Sequence, residues 1–125
     1  GTIRANVALA GDPRDVARIE GALVVAAADG VVRRAPRGLL TPIGETGHGL
    51  SGGEARRLSV ARAAFAGRDV ILADEPTADL DADTASIVAD GLLDLADRGA
   101  TLVVATHDEA LAARMDRVVR LGAAG

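Results

Sequence analysis

Two short, almost wholly apolar runs constrain the fold more than anything else in the chain. Val70-Ile71-Leu72-Ala73 and Thr101-Leu102-Val103-Val104-Ala105 each end abruptly in polar residues, Asp74-Glu75-Pro76 and Thr106-His107-Asp108. Between them Ile87, Val88, Leu92 and Leu95 recur at helical spacing and are expected to point inward. A continuous apolar run suits a strand buried on both faces, and strand–helix–strand is the unit of parallel sheets. Asp81 or Asp83 caps the intervening helix, which runs to about Arg98 and is stopped by Gly99. Glu109 to Met115 predicts a further short helix, and Arg117 to Leu121 a last strand. This half reads as α/β with a parallel sheet.

The first half has a helical rhythm. Thr2 to Leu9 predicts a short helix with Ile3, Val7 and Ala10 at helical spacing. Asp12 can cap, and Pro13 suits a first helical position, so a helix is expected from Pro13 to about Ala28. Its inward face would carry Val16, Ile19, Leu23 and Ala27. Gly30 to Gly49 is rich in Gly and Pro and reads as loop, with room for one helical turn. Gly52 to Ala66 predicts a helix ended by Gly67, offering Leu58, Val60, Ala61, Ala64 and Phe65 for burial.

Composition narrows the chemistry. The 125 residues are 49% hydrophobic, enough for one core. All 14 basic residues are arginine. Without lysine these residues hold neither a Schiff-base site nor the phosphate loop G-x-x-x-x-G-K-[ST]. Without cysteine they hold no thiolate metal site or disulfide. Phe65 is the one aromatic and the net charge is -4, so nucleic-acid binding is not expected. His48 and His107 stand far apart in sequence, which disfavours a multi-histidine metal site. No apolar run approaches the ~20 residues of a membrane-spanning helix. The first residues, Gly1-Thr2-Ile3-Arg4, lack an initiator Met, which fits either processing or a cut from something longer.

Three places carry candidate chemistry. Leu50-Ser51-Gly52-Gly53-Glu54 opens a helix with Ser51 as N-cap. Bare backbone N–H groups beside two glycines make an anion site, although a merely capped helix accounts for the same residues. Asp74 and Glu75 follow a strand, where active sites of parallel sheets gather. They suit a magnesium ligand and a base that orients water, or simply two solvated acids. His107 ends the next apolar run and could face a phosphate, or be an ordinary loop histidine.

The conjunction, in this order, resembles the ATP-binding-cassette (ABC) ATPases. Leu50 to Glu54 looks like their signature motif, Val70 to Asp74 like Walker B, and Glu75 like the catalytic glutamate. Ala78-Asp79-Leu80-Asp81 looks like the D-loop and His107 like the switch histidine. Thr2-Ile3-Arg4-Ala5-Asn6-Val7 is similar to the segment following the Q-loop. Thr41-Pro42-Ile43-Gly44-Glu45-Thr46-Gly47 resembles the X-loop of exporters. Asp74 to Leu121 resembles the thiol (cysteine or glutathione) exporter associated with cytochrome bd assembly, and Ala105-Thr106-His107-Asp108 departs from the Thr-His-Arg of lipid and drug exporters.

The resemblance implies a P-loop NTPase-like fold cut short. A helical subdomain (1–66) would precede the C-terminal part of the catalytic core (67–125), with the Walker A lobe missing. It implies that Ser51, Gly52 and Gly53, with Glu54 beside them, serve the ATP held by a second ABC ATPase domain in a head-to-tail dimer. Asp74 would hold Mg²⁺, Glu75 polarise the attacking water and His107 stabilise the γ-phosphate. Asp79 and Asp81 would couple the two sites. Thr41–Gly47 would meet the transporter's transmembrane domain, at the cytoplasmic face of the bacterial inner membrane. The parent would hydrolyse ATP, while this chain alone is expected to be silent and to self-associate through Thr101–Ala105, an edge left without its neighbour. The alternatives are a DNA-repair or chromosome-maintenance ATPase head, and a non-catalytic module that only supplies a signature motif.

Overall fold

The computed structural model describes residues 1–44 and 49–122. The chain order is α1 (Ile3–Val7), α2 (Val16–Val25), α3 (Asp29–Arg34), a 3₁₀ turn (Gly38–Leu40), α4 (Gly52–Ala66), β1 (Val70–Asp74), α5 (Ala82–Asp97), β2 (Thr101–Ala105) and α6 (Glu109–Ala112). β1 and β2 pair in parallel, with Val70 opposite Thr101 and Asp74 opposite Ala105. The expected strand–helix–strand unit is therefore present, and the polar ends of both strands lie side by side.

The helix ends follow local chemistry. At α4, Ser51 Oγ accepts from the Glu54 N–H at 3.1 Å while the Glu54 carboxylate accepts from the Ser51 N–H at 3.0 Å. This reciprocal box satisfies two otherwise orphaned donors. Gly67, at φ +61°, ends the helix in a left-handed turn that costs glycine little. At α5 the cap is Asp81, whose carboxylate accepts from the Thr84 N–H at 2.8 Å. At α2 the cap is Asp15 rather than Asp12. Asp12 instead accepts from the N–H and guanidinium of Arg14, so a turn occupies Pro13 and Arg14. The helix ends at Val25, short of Ala28, because Ala27 takes a positive φ of 52°.

One apolar core joins the two halves of the chain. Ile3, Val7, Ile19, Leu23, Val31, Leu58, Ala61, Phe65, Val88 and Leu92 are buried together. Arg18 ties α2 to α4, stacking over the Phe65 ring at 4.4 Å while donating to the Phe65 carbonyl at 2.5 Å. Gly91 lets α5 approach the end of α2, since a Cβ there would lie 2.5 Å from the Val25 carbonyl oxygen.

Several expectations are corrected. The strands are not buried on both faces: Ile71 is buried, but Val70, Leu72 and Val103 are 56%, 78% and 52% exposed. Only one face of the two-stranded sheet is covered by helices, so alternate side chains meet solvent. Ile87 is exposed rather than inward, because Val88 and Leu92 define the packed stripe of α5. Arg117 to Leu121 forms no strand, since no ladder partner lies beside it among the described residues. It is held instead by Arg120, which donates from two guanidinium nitrogens to the Glu109 carboxylate at 3.1 and 3.2 Å. The final helix stops at Ala112, short of Met115.

Candidate functional site

The carboxyl ends of β1 and β2 bring Asp74, Glu75 and His107 into one cleft of about 630 Å³. Glu75 is its most constrained member. It adopts φ +47°, a left-handed conformation unusual for a residue with a Cβ. Its N–H donates to the Ala105 carbonyl at 2.7 Å, continuing the register of the ladder by one bond. Its carboxylate accepts from the His107 N–H at 3.1 and 3.3 Å and from the Thr106 hydroxyl at 3.3 Å. The His107 ring is fully exposed, with Nε2 3.7 Å from Glu75 Oε1. Thus the carboxylate is fixed by the neighbouring strand's end while the imidazole is free to meet a ligand.

A second pair braces this loop. The buried Thr77 hydroxyl donates to Asp108 Oδ2 at 2.6 Å. The other Asp108 oxygen accepts from the Ala110 and Leu111 N–H groups and caps α6. The Thr77 hydroxyl, followed by the Leu111 N–H, holds the Asp108 carboxyl below the usual carboxylate range. In the sequence Asp108 stands out only as a departure from the Thr-His-Arg of related exporters, and nothing there pairs it with Thr77. Asp108 was findable as a cap before Glu109, but its bond to Thr77 spans 31 residues and has no local signal.

The signature-like residues lie elsewhere. Ser51, Gly52 and Gly53 form the first turn of α4 and do not line the cleft of Glu75. A Cβ on Gly53 would sit 3.1 Å from Leu80 Cδ2, so this turn packs against the loop that carries Asp79 and Asp81. Asp79 is exposed at φ +62°, and Asp81 is engaged as the cap of α5, its carboxyl lowered chiefly by the Thr84 N–H. Glu54 is occupied by the capping box, and its carboxyl is likewise lowered, first by the Ser51 N–H and then by Arg34. The structure thus separates two clusters: Asp74, Glu75 and His107 at the strand ends, and Ser51 to Gly53 with Asp79 at the start of α4.

Arg56, a residue no sequence pattern marked, joins them. From the second turn of α4 its guanidinium donates to the Glu75 carbonyl. Of the X-loop-like stretch, Thr41 to Gly44 are described. The Thr41 carbonyl accepts from the Ile3 N–H at 3.0 Å, and Ile43 N–H donates to the Gly1 carbonyl at 2.9 Å. Glu45, Thr46, Gly47 and His48 lie outside the described residues. Among the described residues no helix is long and apolar enough to cross a membrane.

Known proteins share stretches of this sequence and this fold. The sequence profile of the ABC transporter family matches residues 27–78. The chain is 40% identical over 123 residues to the ATP-dependent lipid A-core flippase of Cupriavidus metallidurans, spanning 96% of this chain and 20% of the flippase. It is 43% identical over 110 residues to the macrolide export ATP-binding/permease protein MacB of Rhodopseudomonas palustris, covering 82% of this chain and 17% of that protein. Among solved structures, a bacterial Atm1-family ABC exporter with ATP bound superposes with a TM-score of 0.75 at 32% identity, over 89% of this chain and 19% of that one. The chain spans about a fifth of the length of these relatives. Its sequence is similar to the ATP-binding domains of ABC transporters, with exporters among its relatives, and its fold is P-loop NTPase-like.

Proposed function

We propose that this chain is the C-terminal part of an ABC exporter's nucleotide-binding domain, and that its parent couples ATP hydrolysis to transport across the bacterial inner membrane. The observation that carries the reading is the junction at the two strand ends. A glutamate in a left-handed turn is held by the next strand's Thr106 and His107, with the imidazole exposed beside it. Residues 1–66 are the helical subdomain and residues 67–125 the C-terminal part of the catalytic core, lying on the membrane's cytoplasmic face.

In this reading Glu75 accepts a hydrogen bond from the attacking water and orients it toward the γ-phosphate of ATP. The His107 ring donates to the γ-phosphate oxygens as charge develops there. Phosphoryl transfer draws mainly on such positioning and charge stabilisation. Asp74 fits magnesium: it is exposed at the strand end in the same cleft, and this ion uses one or two carboxylates with substrate phosphates and waters. Bound there, the ion would neutralise phosphate charge. Among the described residues no group of three or more His, Cys, Asp or Glu is placed to hold a metal ion. Ser51, Gly52 and Gly53 offer backbone N–H groups to the ATP of a second domain docked head to tail, which fits their separation from Glu75. Asp79 and Asp81 stand on the loop that leads from Glu75 to α5 and would couple the two sites. Thr41–Gly47 faces the transmembrane domain.

The thiol exporter of cytochrome bd assembly is the subfamily we favour, on the likeness of Asp74 to Leu121. The relatives named above are transport proteins, and the repair-ATPase and non-catalytic alternatives find no support in them. The coding sequence upstream of Gly1 tests the reading. A Walker A motif preceded by six membrane-spanning helices is expected; a Walker A motif followed by long heptads would overturn it.

A further inference from the structure

We propose that Arg56 is a positioning residue for Glu75, transmitting the state of the α4 N-terminus to the hydrolytic carboxylate through the Glu75 main-chain carbonyl. The inference rests on the functional reading for its chemistry, but its geometry stands alone. Glu75 is clamped at three points. Its N–H meets the Ala105 carbonyl, its carboxylate meets Thr106 and His107, and its carbonyl accepts from both Arg56 and the Ala78 N–H. The first two clamps come from the end of β2 and the two residues that follow it. The Ala78 bond closes the turn on itself. Arg56 alone brings in α4.

The placement is economical. Arg56 lies one turn beyond Gly52 and Gly53, on the helix whose first N–H groups would face the partner's ATP. It enters no carboxylate ion pair among the described residues. Its neighbour Arg57 turns elsewhere, donating to the Gly53 and Ala27 carbonyls. A left-handed backbone at a residue with a Cβ persists only where its surroundings hold it. Removing one clamp should let Glu75 relax toward ordinary φ, swinging its carboxylate from the position set by His107. A rigid helix is then the lever: a ligand that shifts the first turn of α4 shifts the Arg56 guanidinium, and with it Glu75.

The test uses the natural gene product carrying this chain, with Arg56→Ala and Arg56→Lys. Lysine keeps a cationic donor but loses the fork, so it should rescue in part. Arg56→Ala is expected to lower kcat for ATP by ~10-fold or more, leaving KM within about twofold, because misplacement of a positioned group costs rate rather than binding. Arg56→Lys should recover most of that loss. Amide hydrogen exchange is read in parallel. The Glu75, Ala78 and His107 N–H groups should lose protection in Arg56→Ala, while amides inside α4 keep theirs. A kcat within twofold of wild type, or unchanged protection at those three amides, overturns the proposal. Should the wild-type product hydrolyse no ATP, the functional reading fails, and the exchange comparison decides the Arg56 link by itself.

Discussion

The same chemical change, glycine to alanine inside a helix, should act with opposite sign at two positions. At Gly91, in the middle of α5, the added Cβ would lie 2.5 Å from the Val25 carbonyl oxygen, 3.4 Å from its carbon and 3.6 Å from Ala26 Cα. Ordinary contact begins near 3.4 Å, so the helices must part by about 0.9 Å. The obstacle is backbone, which cannot rotate away. Helix propensity alone favours alanine by ~1 kcal/mol. Overpacking of this kind costs ~1–3 kcal/mol and reaches its upper range where main chain blocks relief. The clash therefore wins, with a net loss of ~1–2 kcal/mol. Gly21, in α2, is exposed and a Cβ there meets nothing within 4 Å. Gly21→Ala should gain ~0.5–1 kcal/mol. Urea and thermal unfolding followed by circular dichroism would read a gap of ~1.5–3 kcal/mol between the variants, roughly 10 °C in Tm for a domain of this size. Gly91→Ala as stable as wild type would refute the α2–α5 packing that seats the site on the helical half.

Other consequences are equally specific. Ser51→Ala removes the capping box and should cost about 1 kcal/mol in the same unfolding assay, with the first turn of α4 exchanging faster. Thr77→Val keeps the shape of a buried side chain but removes the donor to Asp108, and should destabilise by ~1 kcal/mol at neutral pH. Because the folded Asp108 carboxyl is depressed, its contribution is complete above the unfolded value near ~3.9 and fades as pH falls through the folded one. The gap between wild type and Thr77→Val should therefore be flat from pH 8 to about 5 and close below ~4. Self-association through the Thr101–Ala105 edge predicts that Val103→Arg, at an exposed position of that strand, shifts the chain toward monomer in sedimentation velocity. A wild-type chain already monomeric at high concentration contradicts that prediction.

What was legible in the sequence was what local chemistry dictates. Ser51 and Gly67 bracket α4, and the apolar runs after residue 69 and residue 100 become the paired strands. The meeting of Glu75 with His107 follows from parallel register, which sets the two strand ends side by side. Misreadings came where long-range partners decide. Arg117 to Leu121 has the hydropathy of a strand but no ladder beside it among the described residues. Leu72 and Val103 have the character of a doubly covered sheet yet stand open. Asp12 and Asp15 are both competent caps, and Arg14 claims the first. The Arg56–Glu75 and Thr77–Asp108 contacts span 19 and 31 residues, beyond any local pattern.

The account turns on Glu75 as the residue that positions water for ATP hydrolysis. Steady-state phosphate release from ATP by the natural gene product, wild type against Glu75→Gln, tests it most directly. The amide keeps the size of the side chain but cannot act as a base, so turnover should fall by ~100-fold or more while ATP binding persists. Hydrolysis by Glu75→Gln at the wild-type rate, in a folded protein that binds ATP, would contradict it.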